Sequence, residues 1–296
     1  MKLRKIEVDH NLREAIYYKD STFPVDIWTD VYSALVDHTL NCHWHNVFEF
    51  GVMLSGALDY YINGSHMKLV KGDCVFVNAN TMHMATQCGG CDDAVMFTIV
   101  FPPTLFTDNT RNSVYRKYFQ PILERSSYGF KLEHNALGQK MIASLQEVYA
   151  LRDTQYGYEL KCLGLLIQVW ETLLSYIAEH GGPPAQTGPQ NRYEGKAKDI
   201  LSYIHAHYTE NISIDDITKH TGISRSACFR CFRRFTNKKP VEYINEYRLA
   251  HAAKMLRETG DSIAEICTAC GFSSSSYFGK LFKEKYALTP LQYRHS

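Results

Sequence analysis

Two stretches near the carboxyl-terminal end of the chain repeat each other at an offset of 49 residues, and this repeat constrains the fold more than any other feature. Ser213 to Gly222 aligns with Ser262 to Gly271. Each stretch begins with a serine and has an acidic residue three positions later, the capping-box signature of a helix start. Each ends in glycine, the residue best suited to the left-handed conformation that closes a helix. Each stretch therefore predicts a short helix.

A second helix is expected after each stretch, with Ser224 or Ser273 as its N-cap. Two short helices joined by a tight turn form a helix-turn-helix, so the sequence predicts two such units, at residues 213–235 and 262–285. Between them, Pro240–Thr259 has helical spacing and predicts a helix of about 30 Å. That helix would hold the two units about as far apart as two successive major-groove turns, which are separated by ~34 Å.

The second helix of each unit has an apolar face and a basic, hydrogen-bonding face. A solvated surface helix can show the same stripe, but its repetition in register favours insertion into the major groove of DNA. The outward residues of the first unit are Ser226, Phe229, Arg230 and Arg233, flanked by Arg225 and Arg234, and those of the second are Ser276, Gly279, Lys280 and Lys283. All of these except Arg234 and Gly279 are candidates for DNA contact.

Charge and composition divide the chain into two parts. From Asn191 to the end there are 17 Lys and Arg against 11 Asp and Glu, whereas the first 190 residues have 15 against 20. The basic part is thus a candidate for binding a polyanion, although the surplus is modest. A stretch rich in Pro and Gly, residues 181–192, predicts a linker between domains at 1–180 and 193–296.

The first part of the chain has the pattern of an antiparallel β-structure. Short runs rich in Val, Ile, Phe and Tyr lie between Val25 and Phe101, and Asn63-Gly64 separates two of them as in a hairpin. Such runs predict a sandwich or barrel. Helical spacing follows at 132–152 and 155–179. The fold class is therefore α+β with two domains, the second all-α.

Composition and motifs exclude several classes of protein. No apolar run reaches the ~18–20 residues of a membrane span, and the start of the chain lacks the apolar stretch of a signal peptide. The nine cysteines are odd in number and scattered, which argues against a secreted disulfide framework. We expect a cytoplasmic protein with no membrane partner. No nucleophile elbow, glycine-rich phosphate loop or HExxH helix is present, so we do not expect an enzyme.

Residues 194–296 resemble the DNA-binding domain of the AraC/XylS family of transcriptional regulators. The resemblance rests on Gly271-Phe-Ser-Ser-Ser-Ser-Tyr-Phe-Gly-Lys-Leu-Phe-Lys283 and Thr289-Pro-Leu-Gln-Tyr-Arg294, supported by Pro240 and Arg248. It implies binding to double-stranded DNA, a small-molecule effector, contact with RNA polymerase and a homodimer. It also implies an effector-responsive activator of a catabolic operon, for instance one for carbohydrate.

The same resemblance places individual residues at the DNA. It puts Ser226, Phe229 and Arg230 where the family's first recognition helix meets bases. In the second helix it puts Lys280 there, together with Ser275 and Ser276, and Ser274 is a further candidate for DNA contact. Phe229 departs from the pattern, because polar residues are common at its position.

The acidic half resembles the cupin barrel, which the AraC family often uses as its sensor. His43-Trp-His45, Glu49 and Gly56 match the first cupin motif, and Gly72, Asn78, Asn80 and His83 match the second with asparagines in place of proline and glycine. The resemblance implies a cupin-like β-barrel followed by a helical dimerisation segment. An alternative function is a metal-dependent cupin enzyme fused to a DNA-targeting module.

The four candidate residues of this sensor allow two kinds of ligand. His43, His45, Glu49 and His83 could bind a divalent Zn, Mn, Fe or Ni ion, or could line a pocket for an organic effector. The Cys-x2-Cys pairs 228/231 and 267/270 occupy inward helical positions, so we expect them to pack as small apolar residues rather than bind zinc. Cys88 and Cys91 are expected in a turn.

Overall fold

The structure is a computed structural model that describes residues 7–9, 12–90, 92–107, 111–125, 129–180, 189–236 and 238–295. Its internal contacts divide the chain into two units, Met1–Glu194 and Gly195–Ser296. Residues 181–188, which make up most of the predicted linker, lie outside the described residues, and so does Cys91. Residues 189–192 of that linker already belong to the helix Pro189–His207, most of which lies in the second unit.

The first unit is built on two antiparallel sheets. In hydrogen-bonded order the larger sheet consists of β1 (Asp26–Val31), β8 (Val95–Phe101), β3 (Phe48–Ser55), β6 (Cys74–Val77) and β9 (Gly129–Lys131). The smaller consists of β2 (Thr39–His43), β7 (His83–Gln87), β4 (Ala57–Ile62) and β5 (Ser65–Val70). The predicted cupin-like antiparallel fold is confirmed as a sandwich. The barrel is not closed, because no described edge strand of one sheet forms a ladder with an edge strand of the other.

Strand β3 shows how the period-two pattern divides the interior of this unit. Phe48, Phe50 and Val52 point to one face of the large sheet, where they pack in a cluster with the helices that follow. Glu49 and Met53 point to the other face, towards the small sheet. The predicted hairpin is confirmed, with Asn63 and Gly64 at φ 47° and 76° in the turn between β4 and β5.

Helices cover the outer face of the large sheet. They are α1 (Gln120–Leu123), which continues a π-helical turn at Tyr115–Phe119, α2 (Ala136–Ala150) and α3 (Tyr158–His180). In length and composition α3 could cross a membrane. Here its apolar face, including Leu166, Val169 and Leu173, is fully buried against the sheet and α2, as in the core helix of a globular domain.

The second unit consists of seven helices among its described residues, and both predicted helix pairs are present. The helices are α4 (Pro189–His207), α5 (Ile214–Thr221), α6 (Arg225–Thr236), α7 (Pro240–Glu258), α8 (Ile263–Ala269), α9 (Ser275–Tyr286) and α10 (Pro290–Arg294). The pair α5–α6 forms the first helix-turn-helix unit and α8–α9 the second.

Helix α7 contributes to the cores of both helix-turn-helix units. Tyr243 and Ile244 in its first half are buried, and the Tyr243 ring meets Phe232 of α6 edge-on at 5.4 Å. Leu249 and Leu256 in its second half belong to one buried cluster with α8 and α9. The two units are therefore held by one continuous helix of 19 residues.

The predicted caps close these helices. Ser213 and Ser262 each form a capping box, with Asp216 and Glu265 respectively. Ser224 accepts a hydrogen bond from the Ala227 backbone in α6. The cap of α9 is Ser274, which accepts from the Tyr277 backbone, so the prediction of Ser273 is wrong by one residue. The turn before α9 is one residue longer than the turn before α6, which moves the cap along.

The two repeat glycines share a conformation but differ in surroundings. Gly222 and Gly271 have φ of +64° and +79°. A Cβ at Gly222 would meet nothing within 4 Å, whereas at Gly271 it would lie 2.5 Å from the Tyr208 carbonyl oxygen and 2.8 Å from the Thr209 Cα. Gly271 thus permits close contact between the second turn and the end of α4.

Candidate functional site

The predicted DNA-contacting residues all lie on exposed surface. In the first unit these are Arg225, Ser226, Phe229, Arg230 and Arg233, and in the second Ser274, Ser275, Ser276, Lys280 and Lys283. Phe229 is 41% exposed although it is a large aromatic residue. The surface formed by these ten residues is called the basic face below.

The opposite sides of α6 and α9 are buried, which fixes the direction of the basic face. Cys228, Phe232 and Phe235 of α6 are at most 2% exposed, and Phe278 and Phe282 of α9 are at most 1% exposed. Because these side chains anchor each helix, the polar side must face outward.

Several cations of the basic face are not neutralised by the protein itself. Arg225 pairs with Asp215 at 3.1 Å and Lys280 with Glu284 at 3.8 Å, and both pairs are exposed. Arg230, Arg233 and Lys283 form no ion pair within the described part of the chain. Their charge is thus available to an external anion.

Two contacts that the sequence did not reveal hold the helices behind the basic face. The Asn245 side-chain amide of α7 donates to the Tyr277 hydroxyl of α9 at 3.1 Å. Arg248 of α7 donates to the Tyr208 and Glu210 carbonyls at 2.7 and 2.6 Å, which ties α7 to the segment after α4. Among the residues of these two contacts, only Tyr277 could have been noticed in the sequence, because it is an aromatic residue on a polar helical face.

The cysteine pairs of these helices are buried, as expected. Cys228, Cys231, Cys267 and Cys270 are at most 2% exposed. Burial raises the pKa of Cys231 to about 12 and that of Cys270 to about 11. The thiols of Cys231 and Cys270 are therefore poor nucleophiles at neutral pH.

In the first unit, the structure brings the three predicted histidines together between the two sheets. One ring nitrogen of each of His43, His45 and His83 lies within 4.8 Å of the others, and all three are at most 1% exposed. His43 ends β2 and is paired in register with His83, which begins β7. His45 lies in the connection to β3, so the smaller sheet and this connection supply the imidazoles.

Backbone carbonyls orient all three rings. Nδ1 of His43 lies 2.8 Å from the Asn41 carbonyl, Nδ1 of His45 lies 3.1 Å from that of Val47, and Nδ1 of His83 lies 2.9 Å from that of Thr81. A carbonyl only accepts, so each Nδ1 carries the proton and each Nε2 is directed elsewhere. In the neutral form of each ring, the Nε2 lone pair would be directed to a shared partner at the centre of the group.

Glu49 supplies a carboxylate to the same group from the larger sheet. Its Oε2 lies 3.0 Å from His45 Nε2 and 3.7 Å from His83 Nε2, and the Tyr60 hydroxyl donates to its Oε1 at 3.1 Å. Burial alone would raise the pKa of Glu49, but the imidazoles of His83 and His45 outweigh burial and lower it well below the usual range. Glu49 is thus a buried carboxylate.

Glu14 is a member of the group that the sequence did not predict. Its Oε2 lies 3.5 Å from His43 Nε2, and its side chain is 3% exposed. It lies far from the cupin motifs in sequence, and no spacing rule connects it to them. His43, His45, His83, Glu49 and Glu14 are called the His–Glu cluster below.

Family models match both halves of the chain. The model described as an AraC-like ligand binding domain matches residues 34–169, and the one described as a helix-turn-helix domain matches residues 217–296. The chain belongs to the AraC family of transcriptional regulators. It is accordingly a DNA-binding regulator of transcription and not an enzyme.

AraC-family relatives match along most of the chain. An uncharacterised HTH-type transcriptional regulator, YdeC of Bacillus subtilis, is 25% identical over 295 residues and covers 99% of both chains. The melibiose operon regulatory protein of Escherichia coli K12 is 23% identical over 258 residues, with 85% of this chain and 82% of the relative covered.

A solved AraC-type regulator structure from Chromobacterium violaceum is 33% identical, covers 34% of this chain and 91% of that one, and has a TM-score of 0.33.

In this AraC-family chain the residues of the His–Glu cluster fit a divalent metal ion. Two ligand atoms that each lie about 2.1 Å from one ion are roughly 3.0 Å apart when the ligand–metal–ligand angle is 90° and roughly 3.4 Å apart in tetrahedral geometry. The Nε2-to-carboxylate distances of 3.0, 3.5 and 3.7 Å are close to this range. His83 Nε2 is buried without a hydrogen-bond partner, which leaves a lone pair for an ion.

A separate cavity in the first unit has room for an organic molecule. Its volume is about 1490 Å³, and it lies between the segment at Tyr17–Thr29 and the ends of α2 and α3. Aromatic side chains, including Trp28, Tyr149 and Tyr158, line it together with Asp26 and Glu159. None of its lining residues belongs to the His–Glu cluster.

Proposed function

We propose that this AraC-family regulator binds two consecutive major-groove segments with α6 and α9 and responds to a small-molecule effector bound by its first unit. The observation that carries the DNA proposal is the basic face, which appears on both recognition helices, each anchored by a buried apolar side. Helix α7, with 19 residues, would span about 28 Å between the units. This length is comparable with the ~34 Å between successive major-groove turns.

Different residues of the basic face are assigned different contacts. Arg230, exposed and without an ion pair among the described residues, is suited to a bidentate hydrogen bond with guanine. Phe229 can contact a thymine methyl group. Lys283 lies on the last turns of α9 and is suited to a phosphate. Arg225 and the serines near the start of α9 complete the contacts to the DNA phosphate backbone.

The DNA proposal is tested by comparing Arg230→Ala, Lys283→Ala and Lys254→Ala in the full chain on a selected operator and on random DNA. Arg230→Ala should weaken operator binding by ~1–3 kcal/mol and relax specificity, because it removes a base contact. Lys283→Ala should mainly reduce the salt dependence. Lys254 is exposed on α7, away from the basic face, and serves as the control. Equal losses on both DNAs for Arg230→Ala would refute base reading.

A homodimer is proposed on the exposed side of α3. Leu160 and Ile167 are 77% and 50% exposed although both are apolar, and they lie on one helical face with Gly164 between them. A second copy that covers this stripe would remove apolar surface from water, and the glycine would allow close approach. The dimer would act in the cytoplasm and place the bound chains where they can contact RNA polymerase.

The regulated genes are proposed to form a catabolic operon, with the protein as activator. The name of the melibiose operon regulatory protein supports a sugar as effector class. The name of the transcriptional activator RhaR of Enterobacter, which is 21% identical over 294 residues, supports the role of activator. Aromatic faces beside carboxylates in the cavity are suited to a polyhydroxylated ligand.

The location of the effector is tested by thermal-shift screening of sugars and small acids against two variants. Selective binding raises stability by RT ln(1 + [L]/Kd). Tyr158→Ala should abolish the shift if the effector occupies the cavity, and His45→Ala should abolish it if the effector occupies the His–Glu cluster, as the sequence first indicated. Loss with His45→Ala alone would refute the cavity assignment.

The His–Glu cluster is proposed to hold a divalent metal ion through Nε2 of His43, His45 and His83 and the Glu49 carboxylate. The support is the orientation of all three rings by carbonyls, which leaves nitrogen lone pairs beside a buried carboxylate. A bound ion would supply positive charge to this buried site. Elemental analysis of protein purified without a metal-affinity column should find one equivalent of metal in wild type and none in His45→Ala.

A further inference from the structure

The segment before the sandwich is held directly across the histidine-containing strand end. The Trp44 backbone N–H donates to the Leu12 carbonyl at 3.0 Å, and the Glu14 N–H donates to the Trp44 carbonyl at 2.8 Å. These bonds make a parallel bridge between Arg13 and Trp44. The chain of residues 12–14 therefore lies alongside His43–His45.

Alternation along this short segment decides which side chains enter the interior. Leu12 and Glu14 are buried, at 1% and 4% exposure. Arg13 between them is exposed and its guanidinium lies over the Trp44 ring, 5.8 Å from the ring centroid. The backbone pairing thus delivers the Glu14 carboxylate into the sandwich while its neighbour stays outside.

The position of Glu14 is complementary to that of Glu49. Glu49 lies next to His45 and His83, whereas Glu14 lies next to His43. Its separation of 3.5 Å from His43 Nε2 is close to the distance between two ligands of one ion. Each imidazole therefore has a carboxylate oxygen beside it at ligand-to-ligand distance.

The balance of donors and acceptors points the same way. With each Nδ1 directed to a carbonyl, the rings in their neutral form would offer three lone pairs to the centre of the cluster. Two buried carboxylates add further acceptors. Neutral imidazole nitrogens and carboxylate oxygens are the donor types that divalent first-row metal ions bind.

We propose that Glu14 is a direct ligand of the metal ion, so that the protein provides three nitrogen and two carboxylate donors. This inference rests on the metal site proposed above. A mixed nitrogen and oxygen set without sulfur suits Zn²⁺, Mn²⁺, Fe²⁺, Co²⁺ or Ni²⁺ and not Cu(I). The metal would then join the amino-terminal segment to both sheets.

The test uses Co²⁺ as a spectroscopic probe in the full chain, with Zn²⁺ competition against a chelator to measure affinity. Wild type should bind one Co²⁺ with the weak visible absorption of a five-coordinate ion. Glu14→Gln keeps the shape but removes a charged donor, so affinity should fall at least about tenfold, the lower limit seen when even outer partners of metal ligands are changed. Its spectrum should move to the stronger absorption of a four-coordinate ion.

Two further variants make the result decisive. Glu7→Gln removes an exposed acid from the same segment and should change neither affinity nor spectrum. If Glu14→Gln does not fold, as judged by tryptophan fluorescence, Glu14→Asp keeps the charge but shortens the reach, and it should still bind with lowered affinity and an altered spectrum.

The outcomes separate this inference from the metal proposal. If wild type binds Co²⁺, His45→Ala does not, and every folded Glu14 variant matches wild type, then Glu14 is not a ligand while the metal site stands. If wild type binds no more Co²⁺ than His45→Ala, the metal site itself is refuted, and the assignment of Glu14 with it.

Discussion

Replacing each repeat glycine by alanine tests whether close packing distinguishes two positions that are equivalent in sequence. Gly222 and Gly271 both have a positive φ, so alanine is strained at either one. Only at Gly271 would the new Cβ press on backbone atoms, 2.5 Å from the Tyr208 oxygen and 2.8 Å from the Thr209 Cα. Backbone atoms cannot rotate away as a flexible side chain can.

The expected magnitudes follow from these two contributions. The left-handed conformation costs alanine about 1–2 kcal/mol, which is the whole cost expected for Gly222→Ala. Overpacking adds about 1–3 kcal/mol at Gly271, so Gly271→Ala should cost about 2–5 kcal/mol in total. For a unit of this size, each kcal/mol corresponds to about 4–8 °C in melting temperature.

The distribution of tryptophan provides the assay. All three tryptophans, Trp28, Trp44 and Trp170, lie in the first unit, so their fluorescence follows that unit alone. Circular dichroism at 222 nm also follows the helices of the second unit. Gly271→Ala should lower the melting transition seen only by circular dichroism more than Gly222→Ala does, and neither should move the fluorescence transition. Equal shifts for the two variants would refute the argument from backbone contact.

Three further predictions concern other parts of the chain. Ile167→Asp should convert the dimer to a monomer in analytical ultracentrifugation, whereas Gln139→Asp on the exposed side of α2 should not; a monomeric wild type would contradict the dimer. Asp73 is buried, and burial alone would raise its pKa. Contacts with Lys131, the Val70 N–H and His134 outweigh burial and lower the pKa overall. Because Asp73→Asn weakens these contacts, it should destabilise the first unit by about 1–3 kcal/mol at pH 7. Because the pKa of Asp73 is lower in the folded state, its ionised carboxylate stabilises the first unit above the unfolded pKa of ~3.9, and this stabilisation is lost as the pH falls through the folded pKa. The free energies of unfolding of wild type and variant, followed by fluorescence, should therefore converge in acid. A constant difference between them would contradict this prediction. Tyr277→Phe removes the bond from Asn245 and should cost about 0.5–1.5 kcal/mol in circular dichroism melts, with no effect expected from Tyr156→Phe in the first unit.

Local signals in the sequence predicted local structure well. Serine and acid at the repeat starts became capping boxes, and Asn63-Gly64 became a tight turn, because the groups involved are within a few residues of each other. The inward and outward sides of α6 and α9 also follow from spacing alone. The cap of α9 shows the limit, because a longer turn shifted it from Ser273 to Ser274.

Features that depend on distant parts of the chain could not be predicted in this way. Closure of the sheets depends on how edge strands meet, and period-two alternation is the same in a sandwich and a barrel. The four motif residues of the His–Glu cluster were found because the cupin resemblance links them. Glu14 was missed because its place depends on backbone bonds to Trp44, which leave no mark in the spacing.

The unlike helix-turn-helix units on α7 give the bound protein a direction. Two identical readers related by a two-fold axis recognise a palindrome, which looks the same from either end. Here an arginine-rich helix always precedes a serine- and lysine-rich one along a single polypeptide. The half-site bound by one chain would therefore be asymmetric. Reversing such a site upstream of a gene would turn the opposite end of the regulator towards the promoter, even though every base contact was retained.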